Sequence, residues 1–232
     1  MPAKNSVKQY LENGFYHIYN RGVEKRRIFL DEQDYAVFLS YLKDYLSFKD
    51  REKLLVMATS PDRSYKEKAD ASQLLSLKNF FGEIELLTYA LMPNHFHLLV
   101  KQTKEDGIDR FISSLGTRYA LFFNKKYKRV GKLYQGVYKA VLVDNDEQLL
   151  HLSRYIHLNP VDKLRKREVN SWNKVKTPYS LPEYLGERGT TWIKPEYVLG
   201  YFGKTNPQKS YLDFLGGSLG DETFIAKLTI DE

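Results

Sequence analysis

The segment that most constrains the fold reads His95-Phe96-His97-Leu98-Leu99-Val100. Its aliphatic residues are typical of a strand, and the side chains of a strand alternate between two faces. His95 and His97 therefore point to one face, with backbones roughly 6–7 Å apart, so that both imidazoles can bind one metal ion. By itself, a pair with this spacing is a weak motif and favours the wet face of an ordinary strand. Its partners elsewhere in the chain must decide between the two interpretations.

Composition excludes several classes of chemistry. The 232 residues contain no cysteine, so disulfides, zinc–thiolate sites and thiol nucleophiles are ruled out. The first nine residues contain no apolar signal segment, and no stretch approaches the length of a membrane span. We expect a cytoplasmic protein with no membrane partner. The length fits one large domain, or one domain with an appendage.

Basic charge is concentrated in one block. Residues 101–140 hold ten of the 36 Lys and Arg but only three of the 29 Asp and Glu, which accounts for the whole net charge of +7. Lysines that neutralise phosphates, interleaved with aromatic rings, are typical of a surface for single-stranded nucleic acid, although most of these rings are expected to fill the core. The candidate DNA contacts, from this block and from the first loop, are Lys125, Lys126, Lys128, Arg129, Lys132, Gln135, Arg21 and Arg26.

The order of predicted elements indicates an α+β fold. Residue patterns predict a strand, a helix, two strands joined by a tight turn, a helix, a strand and a last helix that stops before Pro160. This is the split β-α-β order of ferredoxin-like domains, with helices on one face of an antiparallel sheet and one added helix. Residues 57–80 are expected to be an exposed insertion without sustained periodicity. We predict a main domain over residues 1–165 and a small helical C-terminal appendage over residues 166–232.

The last predicted helix of the main domain brings a second group of polar residues. His151, Tyr155 and Asn159 follow each other at intervals of four and therefore share one stripe of a helix. An adjacent apolar stripe would bury this helix against the sheet. If its rim lies over the histidine strand, two imidazoles, a phenol and an amide oxygen meet. An isolated tyrosine and asparagine with this spacing are much more commonly a residue at the edge of the core and a helix cap.

Four local motifs, in this order, give the chain a family resemblance. It resembles the single-strand-specific tyrosine transposases of the HUH class, in particular the REP-associated and IS200-like type. The motifs are Tyr16-His17-Ile18-Tyr19-Asn20-Arg21-Gly22, Leu91-Met92-Pro93-Asn94-His95-Phe96-His97-Leu98-Leu99-Val100, Lys132-Leu133-Tyr134-Gln135-Gly136-Val137-Tyr138-Lys139-Ala140 and Arg154-Tyr155-Ile156-His157-Leu158-Asn159-Pro160-Val161.

The resemblance implies a ferredoxin-like fold and a DNA-cleaving activity. It implies that Tyr155 is the nucleophile and that His95, His97 and Asn159 hold a divalent metal ion, Mg²⁺ or Mn²⁺. A tyrosine hydroxyl is a poor nucleophile at neutral pH unless a cation or base assists it, which is consistent with such a site. The implied products are a 5′-phosphotyrosine and a free 3′-hydroxyl.

The expected function is therefore cleavage and rejoining of single-stranded DNA with hairpin or repeat ends, by a nucleoid-associated monomer or homodimer. Two alternatives stay open. One is a non-catalytic protein that binds single-stranded nucleic acid on the same fold. The other is a metal-dependent phosphoesterase that uses water as its nucleophile, with Tyr155 orienting the substrate. Only the tyrosine transposase forms a covalent adduct with DNA.

Overall fold

The computed structural model describes residues 10–161 and 175–217. Its sheet has four strands in the order β2-β3-β1-β4, and all neighbouring strands are antiparallel. They are β1 (Phe15–Arg21), β2 (Ile84–Met92), β3 (His95–Gln102) and β4 (Lys139–Val143). Because β3 is inserted between β1 and β2, the sheet has the split β-α-β arrangement. The predicted α+β, ferredoxin-like fold is confirmed.

Helices surround this sheet and connect its strands. Those of the described part of the chain are α1 (Glu32–Leu46), α2 (Arg51–Thr59), α3 (Tyr65–Ser76), α4 (Gly107–Lys126), α5 (Asp146–Leu158), α6 (Leu181–Tyr184), α7 (Glu196–Leu199) and α8 (Pro207–Gly216). None of these is both long enough and apolar enough to cross a membrane.

The helices α1 and α4 cover one face of the sheet. Asp31 caps α1 by accepting the backbone N–H of Asp34 at 3.0 Å, as its position before an apolar periodic run predicts. Both helices bury their apolar stripes in one core, together with the β3 residues that alternate with the histidines, Phe96, Leu98 and Val100. A slip of one residue in β3 would turn these three side chains out of the core. This core therefore fixes the face on which the histidines lie.

The opposite face is covered by α5 and by the C-terminal residues. The apolar stripe of α5, formed by Leu149, Leu152 and Ile156, packs in a second core that also contains Leu99 of β3. Side chains of α6, α7 and α8 join the same core, among them Tyr184, Val198, Tyr211 and Leu215. The described C-terminal residues thus pack directly on α5 and the sheet. The predicted domain boundary at 165/166 lies outside the described residues.

The predicted insertion, residues 57–80, contains the end of α2 and the whole of α3 rather than an irregular segment. α2 and α3 pack mainly on each other, so no long apolar stripe faces the sheet, and the sequence pattern of this region is weak. Ser64 and Glu67 form a capping box at the start of α3. At the other end of α3, the Nζ of Lys49 donates hydrogen bonds to the carbonyl oxygens of Leu74 and Leu77, at 2.8 and 2.6 Å.

Candidate active site

The register between β1 and β3 decides which side chains surround the histidines. Arg21 lies opposite His95, and Tyr19 lies opposite His97. Residues directly opposite each other in an antiparallel pair project to the same face. The two histidines, Arg21 and Tyr19 therefore share the face of the sheet that α5 covers.

The two imidazoles are close and differ in orientation. Their ring centroids lie 4.9 Å apart, and the rings are perpendicular. His97 is 1 % exposed, and burial, with smaller contributions from the nearby His17 and His95, lowers its pKa well below the usual value. His97 is thus a neutral imidazole, which is the form that binds metal ions.

Tyr155 meets the histidine strand from α5. Its ring centroid lies 5.6 Å from that of His97, with the two rings perpendicular, and 6.3 Å from that of His17. The packing of Leu152 and Ile156 in the second core holds this side of α5 against the sheet. The structure therefore brings Tyr155 to His95 and His97, although Tyr155 lies 58 residues after His97 in sequence.

Asn159 is the residue that ends α5. Its backbone N–H donates to the carbonyl oxygen of Tyr155 at 2.9 Å, and its helical backbone angles (φ −53°, ψ −45°) keep it one turn beyond Tyr155 on the same stripe. Within residues 10–161 and 175–217, no three His, Cys, Asp or Glu side chains form a metal-binding group.

A loop from the basic block lies along the end of β1. The backbone N–H of Val23 donates to the carbonyl oxygen of Leu133, and that of Gln135 donates to the carbonyl oxygen of Arg21, at 2.9 and 2.8 Å. The side chains of Arg21 and Gln135 are also joined, since Nε of Arg21 donates to Oε1 of Gln135 at 3.3 Å. Two of the predicted DNA contacts are thus brought together, on the strand end that lies opposite His95.

The other predicted DNA contacts have different surroundings. Lys125, Lys128 and Lys132 are exposed around the end of α4 and the loop that follows it. Arg129 donates from Nη1 to Oδ1 of Asn124 at 3.0 Å. Arg26 forms an ion pair with Glu24 at 2.9 Å.

Lys126 is held in ion pairs at the start of α1. Its Nζ lies 2.7 Å from Oδ2 of Asp31 and 2.8 Å from Oδ1 of Asp34, whose side chain is fully buried. These contacts raise the pKa of Lys126 against the opposing effect of desolvation. Its charge is therefore largely neutralised within the protein, in contrast to the exposed Lys125.

Two other side chains of α5 are hydrogen-bonded to the C-terminal residues. The fully buried ring of His157 makes two hydrogen bonds of 2.8 Å, one between Nδ1 and the hydroxyl of Tyr211 and one between Nε2 and the hydroxyl of Ser180. Burial lowers the pKa of His157 to about 3. Arg154 donates from Nη2 to the carbonyl oxygen of Leu215 at 3.2 Å. These bonds fix the helix that carries Tyr155.

Two contacts of the histidine ligand candidates were not predicted from the sequence. Nε2 of His17 lies 2.9 Å from Nδ1 of His97, and Nδ1 of His95 lies 2.7 Å from Oδ1 of Asn94. His17 is fully buried in β1. The alternation Phe15, His17, Tyr19 does place it on the histidine face, but only the register of β1 against β3 reveals its partner.

Comparison with known proteins agrees with this architecture. Residues 74–159 match the family model described as "Transposase IS200 like". A solved REP-associated tyrosine transposase bound to a REP hairpin shares the fold, with a TM-score of 0.50 and 11 % identity over 83 % of this chain and 98 % of that chain. A putative transposase from Deinococcus radiodurans R1 is 18 % identical over 66 % of this chain and 95 % of that chain, with a TM-score of 0.36. No curated protein sequence matches significantly.

The matched region contains the histidine strand, α5 with Tyr155, and Asn159. Residues 74–159 are thus similar to IS200-like transposases, and the chain shares its fold with a REP-associated tyrosine transposase. The resemblance indicated by the four motifs is confirmed.

Proposed function

We propose that this protein cleaves and rejoins single-stranded DNA, with hairpin or repeat ends, through a covalent bond between Tyr155 and a 5′-phosphate. The observation that carries the proposal is the placement of the Tyr155 ring 5.6 Å from the ring of His97. A binding module on this fold has no need for a phenol packed against two same-face histidines. The match to IS200-like transposases supports the same chemistry.

The reaction balances as a transesterification. The hydroxyl oxygen of Tyr155 attacks the phosphorus and loses its proton to solvent, while the bond from phosphorus to the 3′ oxygen breaks and that oxygen takes up a proton. The products are a 5′-phosphotyrosine and a 3′-hydroxyl. Since one phosphodiester replaces another, a 3′-hydroxyl can attack the adduct and rejoin a strand without ATP.

His95, His97 and Asn159 are the residues that would hold a divalent metal ion. His97 fits this role because its Nε2 is buried and lacks a hydrogen-bond partner within residues 10–161 and 175–217. When bound, the ion supplies polarisation of the scissile phosphate. Two imidazoles and an amide favour Mn²⁺ over Mg²⁺ by ligand softness, whereas cellular abundance favours Mg²⁺.

The basic loop supplies a path for the DNA to this site. Arg21 and Gln135 lie where the loop joins the end of β1, opposite His95, and are suited to orient the phosphate next to the scissile bond. The exposed Lys125, Lys128 and Lys132 extend the positive surface away from the histidines. The solved transposase with this fold is bound to a REP hairpin, and we infer a hairpin-forming strand as the partner here too. A protein with this substrate is expected to act at the nucleoid.

The test uses a labelled single-stranded hairpin oligonucleotide with Mn²⁺ or Mg²⁺, resolved on denaturing gels. We compare wild type with Tyr155→Phe, which removes one hydroxyl, and with His95→Ala. A metal-dependent covalent band lost in both variants supports the proposal. Cleavage that persists in Tyr155→Phe indicates a water-dependent phosphoesterase. Binding of several hairpins without cleavage or adduct indicates a binding module.

A further inference from the structure

Each of the two histidines is hydrogen-bonded through its Nδ1 to a neighbouring side chain. These partners, Asn94 for His95 and His17 for His97, form what we call the positioning layer. Nδ1 of His95 faces the side-chain oxygen of Asn94 at 2.7 Å. An amide oxygen only accepts, so Nδ1 of His95 must carry the proton and donate it. In a neutral ring, the lone pair then lies on Nε2, which is the remaining nitrogen for a metal.

Asn94 is itself held in the orientation that this bond requires. Its Nδ2 donates to the carbonyl oxygen of Lys25 at 3.3 Å, so its Oδ1 faces His95. The backbone N–H of Gly22 donates to the carbonyl oxygen of Asn94 at 2.9 Å. Both anchors come from the turn after β1, which ties the position of the Asn94 amide to the backbone.

His97 has an equivalent partner on the neighbouring strand. Its Nδ1 lies 2.9 Å from Nε2 of His17, and one of the two nitrogens must carry the proton. Nε2 of His97 is buried, with no hydrogen-bond partner in the described part of the chain. An N–H at that position would be a buried donor without an acceptor, which is rare and costly. The proton therefore belongs on Nδ1 of His97, which donates to Nε2 of His17.

We propose that Asn94 and His17 are positioning residues that fix His95 and His97 in the same tautomer, with Nδ1 protonated and Nε2 available to one divalent metal ion. The proposal rests on the metal-dependent function above. Partners of this kind orient the rings of metal-binding histidines, and their loss lowers metal affinity by about 10–100-fold. Neither residue touches the DNA in this role.

The tautomers are measurable in the metal-free protein. Long-range ¹H–¹⁵N correlation spectra of wild type, with assignments from single histidine variants, distinguish a protonated Nδ1 from a protonated Nε2. We expect a protonated Nδ1 in both His95 and His97. A protonated Nε2 in either ring of wild type overturns the proposal for that ring.

Mn²⁺ affinity, measured by electron paramagnetic resonance of the free ion, gives a second readout. We expect His17→Phe and Asn94→Ala to bind Mn²⁺ about 10–100-fold more weakly than wild type. His17→Gln and Asn94→Asp keep an oxygen acceptor and should recover most of the affinity, which a purely steric role would not predict. His151→Phe, a histidine change on α5 outside this layer, is the matched control.

Different results would contradict the positioning role of Asn94 and His17 and the metal-dependent function. If His17→Phe and Asn94→Ala fold, by thermal melting, and bind Mn²⁺ as wild type does, the positioning role is overturned. If His17→Phe does not fold, the positioning role of His17 is still tested by the tautomers of wild type and by the Mn²⁺ affinity of His17→Gln. Absence of Mn²⁺ and Mg²⁺ binding by wild type contradicts the metal-dependent function, whereas the tautomers of the metal-free protein test the positioning layer on their own.

Discussion

Tyr155 and His97 of a single chain lie with their ring centroids 5.6 Å apart. The helix that carries Tyr155 is fixed from behind by the C-terminal residues, through the hydrogen bonds of His157 to Tyr211 and Ser180. A chain arranged in this way holds Tyr155, its proposed nucleophile, next to its own histidines. We therefore expect each active site to be complete within one chain.

Mixing two inactive variants tests this expectation. Tyr155→Phe keeps the histidines, and His97→Ala keeps the nucleophile. Because Tyr155 packs on His97 of its own chain, a mixture of the two should form no covalent adduct with a single-stranded hairpin on denaturing gels. Adduct restored in the mixture would show that a partner chain supplies the tyrosine.

The lowered pKa of the buried His157 predicts a loss of stability in acid. Its folded-state pKa of about 3 lies below the ordinary value of 6.5, so the unfolded chain binds a proton more readily than the folded chain between these limits. The stability that neutral His157 contributes is present above about pH 6.5 and declines as the pH falls towards about 3, by up to about 1.4 kcal/mol per unit.

Urea unfolding of wild type and His157→Gln measures this contribution. Between about pH 8 and about pH 5, wild type should lose about 2 kcal/mol more of its free energy of unfolding than the variant does. The free energy of unfolding at about pH 8 is the reference for each protein. At that pH, His157 of wild type is neutral in both the folded and the unfolded chain. Equal losses of unfolding free energy in the two proteins would contradict a lowered pKa of His157 in the folded chain.

Lys126 and Lys125 are neighbours with different predicted roles in stability. Lys126 pairs with the fully buried Asp34, which also accepts hydrogen bonds from the Tyr127 hydroxyl and the Leu30 backbone. Since those two donors remain, Lys126→Ala should lower the free energy of unfolding by about 2 kcal/mol. Lys125→Ala, at an exposed position, should change it by less than about 0.5 kcal/mol. Equal effects in urea unfolding would refute this distinction.

Substitution of Lys132 tests whether DNA contacts the loop from the basic block. It is exposed in the loop that joins β1 near Arg21, so it is expected to contact a phosphate rather than a base. Lys132→Ala should weaken binding to hairpins of different sequence by similar factors and reduce the slope of log affinity against log salt by about 1. An unchanged slope would place the DNA elsewhere. Lys43→Ala, on α1, is a matched control.

The sequence was sufficient to predict the parts of the site that follow from local periodicity. Alternation along β3 places His95 and His97 on one face, and the spacing of Tyr155 and Asn159 places them on one stripe of α5. The apolar residues Phe96, Leu98 and Leu152 bury the other sides of these elements, so the fold brings the two polar groups together. The face of each histidine and the stripe of Tyr155 and Asn159 thus follow from the pattern of a single segment.

Other features depend on how segments meet. The bond between His17 and His97 follows from the register of β1 against β3, which no local pattern specifies. The pairing of Lys126 with Asp34 joins residues 92 positions apart, so a lysine within a basic block resembled a DNA contact. The helix α3 is a different case, because the Ser64–Glu67 capping box is visible in the sequence and indicates a helix start there.

We propose that Tyr155, among 18 tyrosines, forms the covalent bond to DNA. To test this, the adduct is trapped on a single-stranded hairpin, protein and DNA are digested, and the nucleotide-bearing peptide is located by mass spectrometry. We expect a 5′-phosphate linked to the peptide that contains Tyr155, and no such peptide from Tyr155→Phe. An adduct on another tyrosine, or metal-dependent cleavage that leaves no protein–DNA bond, would contradict it.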